Sequence, residues 1–209
     1  MPKLMAAFYD RFMAKTEDAG LREWRRALLA PLEGTVVEAG AGTGANIALY
    51  PDAVERVVLT EPDPHMRGAL VDKVAALADR ARFTVSEAKA TTLPLDDSEA
   101  DAVVTTLVLC SVRDPAAALA EFRRVLRPGG RLVYLEHVSA YETPKRAKWQ
   151  RRIEPIWKRV AGNCHLTRRT EQFILDAGFV VEEERREDMR ASMPLVARTV
   201  RGVAVAPAA

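Results

Sequence analysis

The chain is poor in cysteine, with only Cys110 and Cys164 among its 209 residues. Two thiols cannot form the disulfide framework of a small secreted scaffold, and they fit a reducing, cytoplasmic setting. Metal-binding spacings are missing too. No Cys-x-x-Cys and no His-Glu-x-x-His occurs, so the sequence predicts no metal site. Long apolar runs are absent. A membrane span needs roughly 20 mostly apolar residues, whereas residues 1–33 carry charge throughout, from Lys3, Asp10, Arg11 and Lys15 to Arg22, Glu23, Arg25 and Arg26. The sequence therefore predicts no signal peptide and no integral membrane association. An excess of one charge is absent as well: the net charge is +2, and no nucleic-acid motif is present, so nucleic acid is not an expected partner.

What is present describes an ordinary globular chain. Hydrophobic residues make up 48% and charged residues 29%, which is enough apolar matter for a packed core. The length suits one α/β domain and falls short of two. The reading is a single domain over 1–209, with 1–32 as an N-terminal helical lid and 138–169 as a substrate-side insert. Composition leaves monomer or homodimer open.

Leu4, Phe8 and Phe12 fall on one helical row over residues 4–13, and a second helix over about 19–30 stops at Pro31. Thr35 to Gly40 reads as a buried strand entering a glycine-rich turn, with a helix over 45–50. The alternation repeats: strand Arg56–Glu61, helix from Pro64 to about Ala78, strand Arg82–Ser86, strand Asp101–Thr106, helix Pro115–Leu126, strand Arg131–His137. Parallel strands need such crossovers, so the pattern predicts an α/β fold with a mostly parallel sheet and helices on both faces. Pro144 to about Ala161 reads as a helix kinked at Pro155, and Thr167–Ala177 as a helix capped by Thr167. Phe179–Glu184 and Leu195–Val205 would close the sheet as a C-terminal antiparallel hairpin.

The central signal is Glu38-Ala39-Gly40-Ala41-Gly42-Thr43-Gly44 directly after a strand. Glycines let the backbone turn sharply and let a ligand approach it closely. Dinucleotide sites favour Gly-x-Gly-x-x-Gly; here the spacing is Gly-x-Gly-x-Gly, with an acid just before it. S-adenosylmethionine (SAM) carries a cationic amino group and a sulfonium but no phosphate, so Glu38 would attract it and would repel a pyrophosphate. Glu61, ending the second strand, can accept from both ribose hydroxyls. NAD binders share that feature, so an NAD-linked oxidoreductase remains the alternative from another class, beside a non-catalytic SAM-binding regulator.

These motifs, with Leu93-Pro94-Leu95 before Asp101 and Arg124-Val125-Leu126-Arg127-Pro128-Gly129-Gly130, resemble class I SAM-dependent methyltransferases over nearly the whole chain. The resemblance implies their Rossmann-like fold. Three segments carry a closer likeness: Thr106-Leu107-Val108-Leu109-Cys110-Ser111-Val112, Glu136-His137-Val138 and Cys164-His165-Leu166-Thr167-Arg168. Together with Gly44-Ala45-Asn46 and Tyr50-Pro51, they are similar to the methyltransferase-like 7 group of alkyl thiol S-methyltransferases. That likeness implies Gly40, Ala41, Gly42, Gly44 and Asn46 around the methionyl part of SAM, Glu38 beneath its amino group, and Glu61, Pro62 and Met66 by the ribose. It also implies Lys89 and Ala90 by the adenine, and Thr106 and Leu107 facing the methyl donor. Lys89 stands where the family often has an acid, which leaves Ala90's backbone as the adenine contact. The group's apolar membrane anchor is replaced here by a charged amphipathic helix.

The acceptor implied is a small thiol, methylated to a thioether; N-, O- or C-methylation of a small molecule or phospholipid head group is the alternative. A thiol ionises near pH 8.5, so modest stabilisation gives enough thiolate at neutral pH. His137 at the end of the fifth strand and His165 before a helix are the candidate catalytic residues, against a purely structural role for each. Tyr9, Phe12, Cys110, Trp149, Trp157 and Cys164 are the candidate substrate-side residues. Tyr9 and Phe12 would close over the cofactor or else pack on the core. Cys110 reads as a buried filler and Cys164 as a residue of the substrate mouth. The segment 144–169 combines basic residues with a stripe of Trp149, Ile153, Trp157 and Val160. It reads as a core-packed helix with a solvated basic face, the alternative being weak contact with anionic membranes.

Overall fold

The computed structural model describes residues 3–207, with side chains from Asp10 onward. Seven strands form one sheet: β1 (Gly34–Ala39), β2 (Val54–Thr60), β3 (Phe83–Ser86), β4 (Ala100–Thr106), β5 (Leu126–His137), β6 (Val180–Asp188) and β7 (Arg198–Val205). Their spatial order is β3-β2-β1-β4-β5-β7-β6. The first five are mutually parallel, and β7 runs antiparallel to both β5 and β6. The expected mostly parallel sheet with a terminal hairpin is therefore present. The chain order reverses between β1 and β4, and ligand sites of such sheets lie at the carboxyl ends of the strands there.

Residues 36–39 and 102–105 are buried throughout, as strands covered on both faces must be. One core packs α4 (Pro115–Val125) and α6 (Thr170–Asp176) onto one face, through Leu119, Phe122 and Ile174 against Val37, Val103 and Tyr134. On the opposite face α2 (Arg22–Leu29) and α3 (Pro64–Ala75) bury Leu29 and Leu70 against Val36, Leu59 and Val104. Helix starts follow local chemistry. Asp63 accepts from the backbone N–H groups of His65 and Met66 ahead of α3, and Asp114 accepts from Ala117 ahead of α4, each followed by a proline at the first helical position.

Several boundaries differ from the sequence reading. The two N-terminal helices, α1 (Lys3–Thr16) and α2, are joined through a wide turn at 17–21 containing Gly20 at φ 133°. The helix expected over 45–50 is a single tight turn, Ile47–Leu49, because the Asn46 side chain is buried and bonded inward and Pro51 blocks extension. Thr167 does not cap α6, which begins at Thr170; its N–H instead donates to Glu154 Oε2 at 2.9 Å. Strand β5 starts at Leu126, with an irregular register between its Leu126 and Arg131 pairings that takes up Pro128-Gly129-Gly130.

Helix α5 (Pro144–Val160) runs through Pro155. It is fastened by the fully buried Gln150, whose Oε1 accepts from Ala140 N at 2.8 Å and whose Nε2 donates to Leu195 O at 2.9 Å. Ala147 and Gln150 form its buried side, so Trp149 (57% exposed), Ile156 (65%) and Val160 (58%) face outward with the basic residues. The apolar stripe is thus only partly covered, in contrast to the core-packed helix expected. No helix among the described residues is long and apolar enough to cross a membrane.

Candidate active site

Strand β1 ends in a turn whose three glycines all have positive φ: Gly40 at 69°, Gly42 at 60° and Gly44 at 81°. A Cβ at Gly40 would stand 2.7 Å from Val108 Cγ2, and one at Gly44 would stand 2.5 Å from Ile47 Cδ1, so these two glycines serve close packing. A Cβ at Gly42 would meet nothing nearer than Met66 Cε at 3.6 Å, so Gly42 is the glycine beside open space. Glu61 clasps the turn from the end of β2. Its Oε2 accepts from Gly42 N and its Oε1 from Asp63 N, both at 2.9 Å. Burial raises the Glu61 carboxyl above its ordinary range, against the lowering effect of those two bonds.

Glu38 lies beneath the turn, fully buried. Its oxygens accept from Asn46 Nδ2 at 2.8 Å and from Tyr50 Oη at 2.6 Å. Burial pushes its carboxyl up to about 6, although both bonds and the charge of Arg25 pull the other way. Arg25 itself is a buried arginine from α2. It donates through Nη1 to Thr106 Oγ1 at 2.7 Å and to Asn46 Oδ1 at 3.1 Å, and through Nε to Glu17 Oε1 at 3.1 Å. The Thr43 hydroxyl donates to Asp10 of α1, and Lys73 of α3 stands 3.8 Å from the same carboxylate, so α1 lies against the glycine turn. Phe12 is 66% exposed, and the side chain of Tyr9 lies outside the described residues.

These residues fit a nucleoside with a cationic tail. A buried acid under an open glycine turn, with a second acid at the next strand end, suits a positively charged ligand and opposes a diphosphate. Ala41 is buried, its N–H held by Thr60 O at 2.8 Å. Pro62 and Lys89 are exposed, and Ala90 is buried in the loop after β3. Leu107 has φ 62°, a left-handed conformation costly for a branched side chain, and it packs against the buried cluster of Leu21, Leu135 and Met189, which Met13 and Trp24 of the N-terminal helices also cover.

The acceptor side lies at the neighbouring strand ends. Glu136, fully buried on β5, receives Thr105 Oγ1 at 2.9 Å, Val108 N at 3.1 Å and Cys110 N at 3.0 Å, and so shapes the turn after β4. Burial raises its carboxyl. His137 Nδ1 stands 3.6 Å from Cys164 Sγ and 3.9 Å from Cys110 Sγ. The sequence reading expected no metal site; the fold nevertheless gathers these three donors within 4.8 Å of one another from segments far apart in sequence. The thiol of Cys110 and then His137 favour the thiolate of Cys164, against its burial, and the same pairing together with burial holds Cys110 as the thiol. His165 donates its backbone N–H to Cys110 O at 2.8 Å and places Nδ1 3.1 Å from Glu154 Oε1. Burial, with Arg168 beside it, lowers its affinity for a proton. Trp149 lies outward under Arg152, 5.9 Å from its ring, and is not brought to this cluster.

Comparison with known proteins decides among the chemistries such a sheet can support. The family model described as a methyltransferase domain matches residues 37–134. Thiol S-methyltransferase TMT1B of Rattus norvegicus is 42% identical over 188 residues, covering 85% of this chain and 74% of that protein. The Homo sapiens protein of the same name is 36% identical over the same length and coverage. The chain belongs to their methyltransferase family. It is a SAM-dependent methyltransferase, and the NAD-linked reading falls away. Among solved structures, the [4+2]-cyclase SpnF superposes with a TM-score of 0.74 at 18% identity, over 91% of this chain and 81% of that one. That likeness concerns the fold alone, and it illustrates why function has to be argued from the site.

Arg25, Glu136, Glu154 and Arg168 were not among the predicted site residues. For Arg25 a signal existed: Leu21, Arg25 and Leu29 share one helical row, and an arginine on a buried row needs partners.

Proposed function

We propose that this methyltransferase transfers a methyl group to the sulfur of a small, fairly apolar thiol. The observation that carries the reading is the convergence of Cys110, His137 and Cys164 at the carboxyl ends of the neighbouring strands β4 and β5. The names of the relatives at 36–42% identity support it.

In this reading Glu38 attracts the cationic amino group, the Gly40–Gly44 turn lines the methionyl part, Glu61 takes the ribose hydroxyls, and the Ala90 backbone meets the adenine. SAM, when bound, supplies a methyl group activated on a sulfonium. The chain's own task is to hold the acceptor in line and exclude water. His137 stabilises the acceptor as thiolate, while His165, fixed by Glu154, accepts the proton that the thiol gives up. Trp157 supplies an apolar wall. The acceptor sulfur gains the methyl carbon, and the electron pair of the broken carbon–sulfur bond stays with the departing S-adenosylhomocysteine.

A cytoplasmic setting fits this chemistry, since Cys110 and Cys164 are free thiols. Incubation with SAM and a panel of thiols, amines, phenols and phospholipids, read by mass spectrometry, tests the reading. Thioether formation supports it, and methylation of the other classes alone rejects it.

A further inference from the structure

The His137–Cys110 and His137–Cys164 separations have a geometric meaning beyond a hydrogen-bonded cluster. A tetrahedral zinc ion, with Zn–S of about 2.3 Å and Zn–N of about 2.0–2.1 Å, sets its S···N edges at about 3.6 Å. The observed edges are 3.6 and 3.9 Å, and the third edge, between the two sulfurs, falls within the 4.8 Å span of the cluster. The donors are fixed by backbone bonds: Cys110 by Glu136 and by the N–H of His165, Cys164 by its own N–H to Ala161 O at 3.0 Å. A disulfide would need no imidazole beside its sulfurs. The ring atom that faces both sulfurs is His137 Nδ1, the atom that would bind the ion, and Nε2 lies on the far side of the same ring.

We propose that Cys110, His137 and Cys164 form a binding site for a borderline-soft divalent cation, Zn²⁺ by preference, with a fourth position open. Two sulfurs and an imidazole nitrogen are the donor set that selects zinc over oxygen-loving cations. Among the described residues no fourth His, Cys, Asp or Glu joins the cluster. Glu136, the nearest carboxylate by sequence, spends both oxygens on Thr105, Val108 and Cys110. Three protein ligands with one vacancy is the arrangement of zinc sites that bind an exogenous group. The occupant of that position rests on the thiol reading above. An incoming thiol would give its proton to His165, as in that reading, and its sulfur would take the open position in place of a water, so that His137 acts on the acceptor through the ion. Nearby Arg168, held by Leu109 O and by Val112 O at 2.8 Å, offsets the added negative charge.

The test uses the full chain, kept reduced, loaded with Zn²⁺ and freed of excess by dialysis. Elemental analysis should find about one zinc per chain. Co²⁺ in its place should give the intense visible bands of a tetrahedral thiolate complex. Cys164→Ser and His137→Gln should each weaken metal binding by about 100-fold or more, since even residues behind metal ligands cost 10–100-fold. Circular dichroism and S-adenosylhomocysteine binding check that the variants fold. Cys110→Ser is read only if it passes the same check. A wild type holding no more metal than Cys164→Ser, or cobalt bands of an octahedral oxygen site, would overturn the site. Adding an alkyl thiol to the cobalt protein should shift the bands, and unchanged bands would overturn the open position. Metal content is read without turnover. Zinc binding with no thioether from any thiol therefore refutes the acceptor reading alone, and thioether from metal-free protein refutes a need for the ion alone.

Discussion

Arg25 of α2 donates to the hydroxyl of Thr106 at the end of β4, across 2.7 Å and 81 residues of sequence. The same guanidinium holds Asn46 and Glu17, so one buried cation ties the N-terminal helices to the cofactor turn. Arg25→Met keeps the apolar row and removes the charge, which strands Glu17 and Asn46. Denaturation should show a loss of about 3 kcal/mol, the scale for breaking a buried pair from one side. Calorimetry should show weaker SAM binding. Arg25→Lys, lacking the planar fork, should fall between the two. Wild-type stability and affinity in Arg25→Met would mean that α2 is held by packing alone.

Much of the frame was legible in the sequence, because buried parallel strands are apolar on both faces and glycine marks the one turn the backbone must make sharply. The segments 35–40, 56–61 and 101–106 fall on β1, β2 and β4 for that reason. Local patterning fails where a polar side chain turns inward. Asn46 shortens a helix to one turn. Gln150 sets which side of α5 is buried and leaves Trp149 outside, although the stripe containing Trp149 has helical spacing. The cluster of Cys110, His137 and Cys164 carries no local spacing at all. It exists only because parallel pairing brings the ends of β4 and β5 side by side and the loop after α5 returns to them, where His165 N–H donates to Cys110 O.

Glu38 should make stability depend on pH. Its folded carboxyl is raised to about 6 against an ordinary 4.5. Its contribution is fully present below pH 4.5 and is lost as pH rises through about 6. The difference amounts to about 2 kcal/mol. Glu61 and Glu136 are pushed the same way by burial and supply slope of the same sign. Urea titrations of Glu38→Gln should show a fall shallower than the wild type's by about that amount over this window. Identical pH profiles would mean that Glu38 is ionised as easily in the fold as outside it.

Glu61→Ala should weaken SAM binding far more than Lys89→Ala. Removing Glu61 forfeits two ribose hydrogen bonds, each worth about 0.5–1.5 kcal/mol net, and frees the Gly42 N–H that it now clasps. Lys89 is exposed, so its truncation should leave affinity nearly unchanged. Calorimetry on the two variants measures this, and an unaffected Glu61→Ala would place the ribose elsewhere.

Acceptor choice is the central claim, and a competition assay tests it most directly. The protein is incubated with SAM and equimolar small apolar thiol, amine and phenol, and the methylated products are resolved by mass spectrometry across pH 6–9. The account predicts thioether as the dominant product, with a rate that rises with pH until the bound thiol is fully ionised and then levels off. Methylated amine or phenol with no thioether at any pH would contradict it.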